Sequence, residues 1–167
     1  MPRQTNERSL EYRQAWSRFA TGVTVITTVE PDGGIHGMTA NGITSASLDP
    51  PLALICIGHN RNTYGLVERT GRFGISVLST SQQAVAEFFT LPPEERAEAV
   101  PASYVELPRG CPVIDGALTQ MGCRVVDSHE ASDHTIFVAE VEDFATRGGS
   151  PLVWYEGRFK QADERPL

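Results

Sequence analysis

The feature that most constrains this chain is a series of short, β-prone segments separated by turn residues. Residues 21–29 read Thr-Gly-Val-Thr-Val-Ile-Thr-Thr-Val, and β-branched side chains favour strands. The sequence Pro31-Asp32-Gly33-Gly34 supplies the chemistry of a turn, after which residues 35–41 are expected to return as the second strand of a hairpin. The pattern therefore predicts a sheet that begins as an antiparallel pair.

Further strands are predicted along the rest of the chain, with few and short helices between them. The predicted strands cover residues 52–57, 72–78, 117–128, 133–144, 152–155 and 158–159. The predicted helices have an apolar stripe over residues 12–20, a segment at 63–69 preceded by Asn62 as cap and ended by Gly71, and a segment at 81–89. This content favours a mainly β fold, a closed or nearly closed antiparallel barrel with peripheral helices.

Length and charge narrow the class of protein. With 167 residues, and without an internal repeat or linker, residues 1–167 are expected to form a single domain. The net charge of −7 makes nucleic acid or an anionic membrane an unexpected partner. We find neither an apolar run of the ~18 residues that a membrane span needs nor the apolar core of a signal peptide. Three cysteines without CxxC spacing are expected to be reduced, partly buried thiols in a cytoplasmic protein.

Several familiar chemistries have no motif in this sequence. It has no GxGxxG, GxxxxGK[ST] or GxSxG pattern, and its four histidines form no HExxH. His129, Asp133 and His134 could ligate a metal, but their spacing alone supports a metal site weakly. No metal site is therefore predicted.

Small and hydroxylated residues dominate residues 37–51, which read GMTANGITSASLDPP. On composition alone this is a wide loop stiffened by local hydrogen bonds. The alternative is a surface of backbone N–H groups and hydroxyls against which a flat polar ligand could lie.

In context, this segment is one of several that resemble a known family. Ordered matches at family-like spacing occur at residues 19–25, 37–41, 45–51, 71–73, 133–137, 151–152 and 157–159. Together they resemble the flavin reductase family, the FMN-binding split-barrel proteins that supply reduced flavin to two-component monooxygenases. The resemblance runs from about residue 12 to residue 159, which is the expected core of the domain.

The resemblance implies a six-stranded antiparallel Greek-key split β-barrel, a homodimer, and a flavin in a groove near the subunit interface. It implies that Thr39, Ala40 and Asn41 lie along the flavin. It also implies that the backbone of Ser45, Ala46 and Ser47 forms a turn facing the isoalloxazine ring.

A loop of four residues, Asn60, Arg61, Asn62 and Thr63, matches the family segment that grips the flavin phosphate. The chemistry of the residues agrees, because a helix N-terminus beside an arginine is a local anion site on an acidic protein.

The nicotinamide side of the site is implied at Asp133 and His134, with the histidine near the nicotinamide. The family commonly has Gly-Asp-His here, whereas this chain has Ser132 in the glycine position. If that position requires a positive φ, serine would be strained there. Tyr155 and Arg158 belong to the same end of the sheet and are also assigned to the nicotinamide side.

The function implied is that of an NAD(P)H-dependent flavin reductase, in which a hydride moves from the nicotinamide to FMN or FAD. The sequence does not separate FMN from FAD, or NADH from NADPH, and the reduced flavin would serve a separate oxygenase. The alternatives are a split-barrel enzyme that retains FMN and acts directly on an organic substrate, and a non-enzymatic flavin- or haem-binding module.

Overall fold

The computed structural model describes residues 7–162, in which β-strands predominate. The helices are α1 (Glu7–Ser17), α2 (Asn62–Thr70) and α3 (Gln83–Thr90). The strands are β1 (Thr21–Gly22), β2 (Thr24–Val29), β3 (Ile35–Ala40), β4 (Ile43–Leu48), β5 (Pro51–Gly58), β6 (Arg72–Val77), β7 (Tyr104–Glu106), β8 (Pro112–Ile114), β9 (Thr119–Ala131), β10 (His134–Thr146), β11 (Leu152–Tyr155) and β12 (Arg158–Gln161).

One antiparallel sheet organises the molecule. Its strand order is β3-β2-β6-β9-β10-β5-β4, so it contains seven strands. The prediction of six was wrong in this detail, because β4 adds to the free edge of β5. The two edge strands β3 and β4 are consecutive in the chain and joined only by Asn41 and Gly42, so the sheet must curve until its edges approach each other. The result is a nearly closed barrel that is split between β3 and β4, and the predicted fold class is confirmed.

Strand β2 is buried on both faces, which explains its unusual sequence. Ile26 packs into a core that includes Ile55, Phe73 and Phe137 inside the curved sheet. On its other side, Val25 packs against a second core formed with α3, β8 and β11. The buried threonines of β2 are satisfied by hydrogen bonds to carbonyl groups, since the Thr27 hydroxyl donates to Pro112 O. A strand with two buried faces can therefore retain hydroxyl side chains without losing hydrogen bonds.

The long hairpin of β9 and β10 and the strand at 35–41 were predicted well, but the wide loop expected after that strand was wrong. The predicted strands at 117–128 and 133–144 correspond to two 13-residue strands. Most of the predicted wide loop is β3 or the edge strand β4, which pairs with β5 and is interrupted by a bulge between Ser45 and Ser47. Composition alone predicted a loop because small hydroxylated residues are common in loops. The same residues are tolerated in an exposed edge strand, whose pairing with β5 the local sequence does not reveal.

Helix α2 ends as predicted but begins one residue earlier. Gly71 adopts the left-handed conformation, with φ 64°, and its N–H closes the helix on Val67 O. Asn62 is the first helical residue, whereas Arg61 occupies the cap position without a side-chain cap bond. The Asn62 cap was therefore wrong. Tyr64 N donates to Arg61 O over 3.0 Å, and the amides of Asn62 and Thr63 remain available to a ligand.

Two further expectations concern exposure. Helix α1 forms as predicted, yet it buries none of its side chains, and Tyr12, Trp16 and Phe19 remain exposed. Cys111 and Cys123 are buried free thiols, whereas Cys56 is exposed, against expectation. None of the helices between residues 7 and 162 is long and apolar enough to cross a membrane.

Candidate functional site

A cavity of about 540 Å³ opens where the barrel is split. Its walls come from the end of β3, the Asn41–Gly42 connection, the end of β5, the start of α2 and the segment after α3. A volume of this size lies within the range typical of sites for small molecules and cofactors. The gap between the two sheet edges therefore creates a pocket that the protein's own side chains leave open.

Eight of the predicted site residues line this one cavity, although they come from separate parts of the chain. They are Thr39, Ala40, Asn41, Asn60, Arg61, Asn62, Thr63 and His134. Asp133 does not line it, but its carboxylate oxygen lies 2.9 Å from His134 Nδ1. The fold thus brings together the predicted flavin strand, the predicted phosphate loop and the predicted nicotinamide histidine.

The remaining predicted residues lie elsewhere. Ser45, Ala46 and Ser47 lie on the edge strand β4 rather than in a turn, and they are not among the cavity residues. Tyr155 and Arg158 belong to the hairpin of β11 and β12, where Lys160 Nζ lies 4.8 Å from the centre of the Tyr155 ring. These five residues are not part of the cavity in a single chain.

The predicted phosphate loop has the chemistry of an anion site. Helix α2 points its N-terminus into the cavity through Asn62 and Thr63. The first amides of a helix have no acceptor within the helix, and its dipole favours a negative charge there. Arg61 lines the same cavity, and no carboxylate among residues 7–162 forms an ion pair with it. A phosphate group would satisfy both the amides and the guanidinium.

His134 is held in a defined orientation at the first position of β10. The ionised carboxylate of Asp133 can only accept, so His134 Nδ1 carries the hydrogen of their 2.9 Å bond. Nε2 lies on the opposite side of the ring. A Cβ atom at Gly58, its partner in the adjacent strand, would lie 3.3 Å from that Nε2 and 2.9 Å from Asn60 Oδ1. A side chain at position 58 would therefore displace the Asn60 amide and press on the His134 ring.

The turn before His134 contains the predicted strain. Ser132 and Asp133 form a two-residue connection between β9 and β10, since Ala131 pairs with His134. Ser132 has φ 59°, whereas Asp133 has a negative φ, which is the pattern of a type II′ turn with its strong preference for glycine at the first position. The expectation that serine would be strained here is confirmed, and His134 nevertheless lines the cavity.

Sequence reasoning missed Glu94, which lines the cavity, and two further residues of its wall, His36 and Arg96. His36 is 6% exposed, and its ring lies between Glu30 Oε1, 3.2 Å from Nδ1, and Thr63 Oγ1, 2.9 Å from Nε2. Burial lowers the pKa of His36, and the hydrogen bond to Glu30 offsets this only in part. No motif marks this histidine, because its contact with Thr63 spans 27 positions of the sequence.

Arg96 is the other missed residue, and it lies in the segment after α3. Its Nη2 donates to Gly37 O over 3.0 Å, its Nε donates to Leu91 O over 2.9 Å, and its guanidinium carbon lies 5.1 Å from the centre of the Phe89 ring. Burial lowers the pKa of Arg96, and no carboxylate of the described chain lies within ion-pair distance. The cavity wall therefore contains a second cation without a contact ion pair, and the carboxylates of Glu30 and Glu94 act on it only over a longer distance.

A metal centre finds no support in the part of the chain that the structure describes. Within residues 7–162 no group of three or more His, Cys, Asp or Glu side chains could hold a metal ion. His129 pairs instead with Asp127, with 3.3 Å between Nε2 and Oδ2.

A split antiparallel barrel with an anion-binding cavity at its opening is the architecture of flavin-binding split-barrel proteins. Comparison with known proteins agrees with this. The family model described as "Flavin reductase like domain" matches residues 16–163, and the chain belongs to this family.

Curated relatives and solved structures share nearly the whole chain. An NADH-dependent flavin reductase from a Rhodococcus species is 41% identical over 156 residues, covering 92% of this chain and 86% of the relative. FMN reductase (NADH) SmoA from Agrobacterium fabrum is 39% identical over 154 residues, with 92% and 86% covered. The structure of the styrene monooxygenase flavin reductase from Pseudomonas putida S12 superimposes with a TM-score of 0.85 at 33% identity, covering 94% of this chain and 99% of that one.

Proposed function

We propose that this protein is an NADH-dependent flavin reductase that passes reduced FMN or FAD to a separate oxygenase. The observation that carries the proposal is the single cavity in which the α2 N-terminus, Arg61 and His134 meet. Membership of the family and the NADH-dependent relatives support the same activity.

The residues present fit a flavin nucleotide. The amides of α2 and the Arg61 guanidinium would hold its phosphate, and the Thr39–Asn41 segment would lie along its ring system. The flavin itself supplies the chemistry, since its isoalloxazine ring accepts a hydride from a nicotinamide. The protein contributes position, by bringing two flat rings into contact and excluding water between them.

His134 has the role of orienting the nicotinamide in this proposal. Its bond to Asp133 holds the ring at the cavity wall, with Nδ1 engaged and Nε2 left to contact a ligand. A fixed polar atom beside a site for two stacked rings can orient the carboxamide of one of them. Tyr155 and Arg158 would join the nicotinamide side only if a bound ligand or a second chain extends the site towards them.

A second copy of the chain is the proposed partner that covers the site's open side. A groove of about 440 Å³ next to the cavity is lined by apolar side chains that include Trp16, Phe19 and Ile136, and it shares Asn41, Gly42 and Cys56 with the cavity. Exposed aromatic side chains grouped in this way are typical of an interaction surface. We propose a cytoplasmic homodimer, and light scattering of the purified protein would measure its mass.

The decisive experiment follows the absorbance of NADH with catalytic amounts of FMN or FAD added to the purified protein. Rapid NADH oxidation that requires added flavin is expected. Protein that purifies with tightly bound FMN and consumes NADH only with an organic substrate would support the retained-flavin enzyme instead. Flavin binding without turnover would support a binding module.

The His134→Ala variant tests the division of roles within the cavity. It should raise the KM for NADH and lower kcat/KM about tenfold, while the Kd for FMN stays within about twofold of the original. Equal loss of NADH use and flavin binding would contradict the assignment of His134 to the nicotinamide.

A further inference from the structure

His36 is the one buried histidine of the cavity wall, and the proposed reaction does not use it. It is enclosed between the turn that contains Glu30 and the first turn of α2, where Thr63 is the second helical residue. Both His36 and Thr63 line the cavity. The histidine therefore connects the protein surface to the segment proposed to grip the phosphate.

The hydrogen bonds define which way the Thr63 hydroxyl donates. An ionised Glu30 carboxylate can only accept, so His36 Nδ1 carries a hydrogen. In the neutral ring Nε2 is then an acceptor, and the Thr63 hydroxyl must donate to it over 2.9 Å. With its only hydrogen directed at His36, this hydroxyl has nothing to donate to an anion in the cavity.

A second proton on the ring reverses that arrangement. Nε2 then becomes a donor to Thr63 Oγ1, and the hydroxyl hydrogen is free to turn towards an acceptor. A phosphate in the cavity would favour this state twice, by accepting the released hydrogen bond and by attracting the imidazolium charge.

We propose that His36 is a positioning residue that couples binding of the flavin phosphate to uptake of one proton from solvent. This inference rests on the proposed function, because it takes a phosphorylated flavin as the ligand. The only covalent change is the Nε2–H bond, formed with a proton that a solvent or buffer acid gives up, and that proton stays on the imidazole while the phosphate is bound.

The charged groups around His36 decide the direction of the pH effect. Burial opposes the second proton, Glu30 favours it, and Arg96 opposes it. The free protein therefore holds a mostly neutral His36 near neutral pH, and FMN raises the pKa of His36 when it binds. Because the complex then holds more protons than the free protein, FMN affinity gains from His36 as the pH falls, until the free histidine is itself protonated.

The test is calorimetric titration of the full-length protein with FMN and with riboflavin, in two phosphate-free buffers of different ionisation enthalpy. The second pKa of a phosphate monoester, near 6, adds a proton change of its own, so His36→Gln is the reference from which His36's share is subtracted. We expect the original protein to take up more protons with FMN than His36→Gln does, by up to about one proton, and riboflavin to show no such difference. Correspondingly, the ratio of FMN affinity to riboflavin affinity should rise as the pH falls. In the original protein this rise should exceed that in His36→Gln by up to about tenfold per pH unit.

Three other variants keep the test interpretable. Glu30→Gln removes the negative charge that favours the second proton on His36, so it should reduce the uptake. Because the Glu30 side chain is partly exposed, this variant keeps the test open even if His36→Gln fails to fold. Thr63→Val should reduce the uptake, because it removes the hydroxyl link to the phosphate and leaves only the attraction between the phosphate and the imidazolium charge. His59→Gln is the matched control, since His59 also contacts a threonine, Thr135 Oγ1 at 2.9 Å, but lies outside the cavity lining. It should leave the uptake unchanged.

The outcomes separate this inference from the proposed function. If the original protein binds no FMN, the proposed function fails. If it binds FMN with the same proton change in the original protein, His36→Gln and Glu30→Gln, only the role of His36 is overturned. Uptake that is undiminished in Thr63→Val would overturn the hydroxyl link.

Discussion

Arginines in two regions of this molecule have opposite surroundings. On the outer face of β6, β9 and β10, Arg72 and Arg124 both contact Glu142, at 2.8 Å and 2.9 Å, and Arg109 contacts Asp143 at 2.8 Å. In the cavity wall, Arg61 and Arg96 have no carboxylate partner among the residues that the structure describes. On a chain of net charge −7, an unpaired arginine is not explained by a shortage of carboxylates.

The difference shows where the protein leaves interactions for a ligand to complete. The outer face is internally satisfied, so its charges stabilise the sheet. The cavity wall combines open helix amides with guanidinium groups that lack a carboxylate partner, and the turn at Ser132, with its positive φ, lies two residues before His134. Such a combination is expected where an anionic ligand supplies the missing partner.

Replacing Arg61 is expected to have the largest effect. Arg61→Gln should weaken FMN binding about 10- to 100-fold, since a hydrogen bond to a charged group contributes about 1.5–3 kcal/mol. Riboflavin, which lacks the phosphate, should lose little. Fluorescence titration with both flavins measures the two Kd values. Arg124→Gln is the control from the outer face and should change neither Kd. If Arg61→Gln weakens the binding of both flavins equally, Arg61 does not bind the phosphate.

Arg96 should have a smaller effect, because two of its donors are already bound to Leu91 O and Gly37 O. Arg96→Met should weaken FMN binding about three- to tenfold. Arg96→Lys keeps the charge but not the forked contacts, so it should restore most of the preference for FMN over riboflavin. If Lys and Met behave alike, Arg96 acts by anchoring the segment after α3 rather than by its charge.

The contrast between regions also explains what the sequence could and could not predict. The hairpin of β9 and β10 and the end of α2 at Gly71 depend on local patterns, and the structure contains them. Strand β4 was missed because its pairing with β5 is a tertiary property of a small-residue segment. Arg96 and His36 were missed because their contacts span 59 and 27 positions, so only the fold brings them to the cavity.

The ion pairs of the outer face should make the free energy of unfolding depend on pH in the acidic range. Burial alone would raise the pKa of Glu142, but hydrogen bonds from Arg124 and Arg72 outweigh it, so the pKa lies below its usual value. A lowered folded-state pKa contributes stability above the unfolded value, near pH 4.3, and that stability is lost as the pH falls through the folded value. Glu142→Gln should therefore cost on the order of 1 kcal/mol at pH 7, and its stability should approach that of the original protein below about pH 4.

Urea unfolding at pH 7 and at acidic pH measures this convergence, provided that the slopes with denaturant agree. Flavin affinity at pH 7 should be unaffected, because Glu142 lies outside the cavity. A stability difference that stays constant with pH would show that Glu142 contributes by packing and not by its charge.

The strained turn is expected to give the smallest effect and the opposite sign. Ser132→Gly removes the penalty of a positive φ at a side-chain-bearing residue, so the protein should gain about 0.5–1 kcal/mol in the free energy of unfolding. Gly65, which has no neighbouring heavy atom within 4 Å of an added Cβ, offers the reverse control, since Gly65→Ala should stabilise α2 without touching the turn. If Ser132→Gly also lowers the KM for NADH, the strain bears on where Asp133 holds His134. If the stability rises and the kinetics are unchanged, the strain at Ser132 does not affect the site. The site is then defined by the unpaired charges of Arg61 and Arg96.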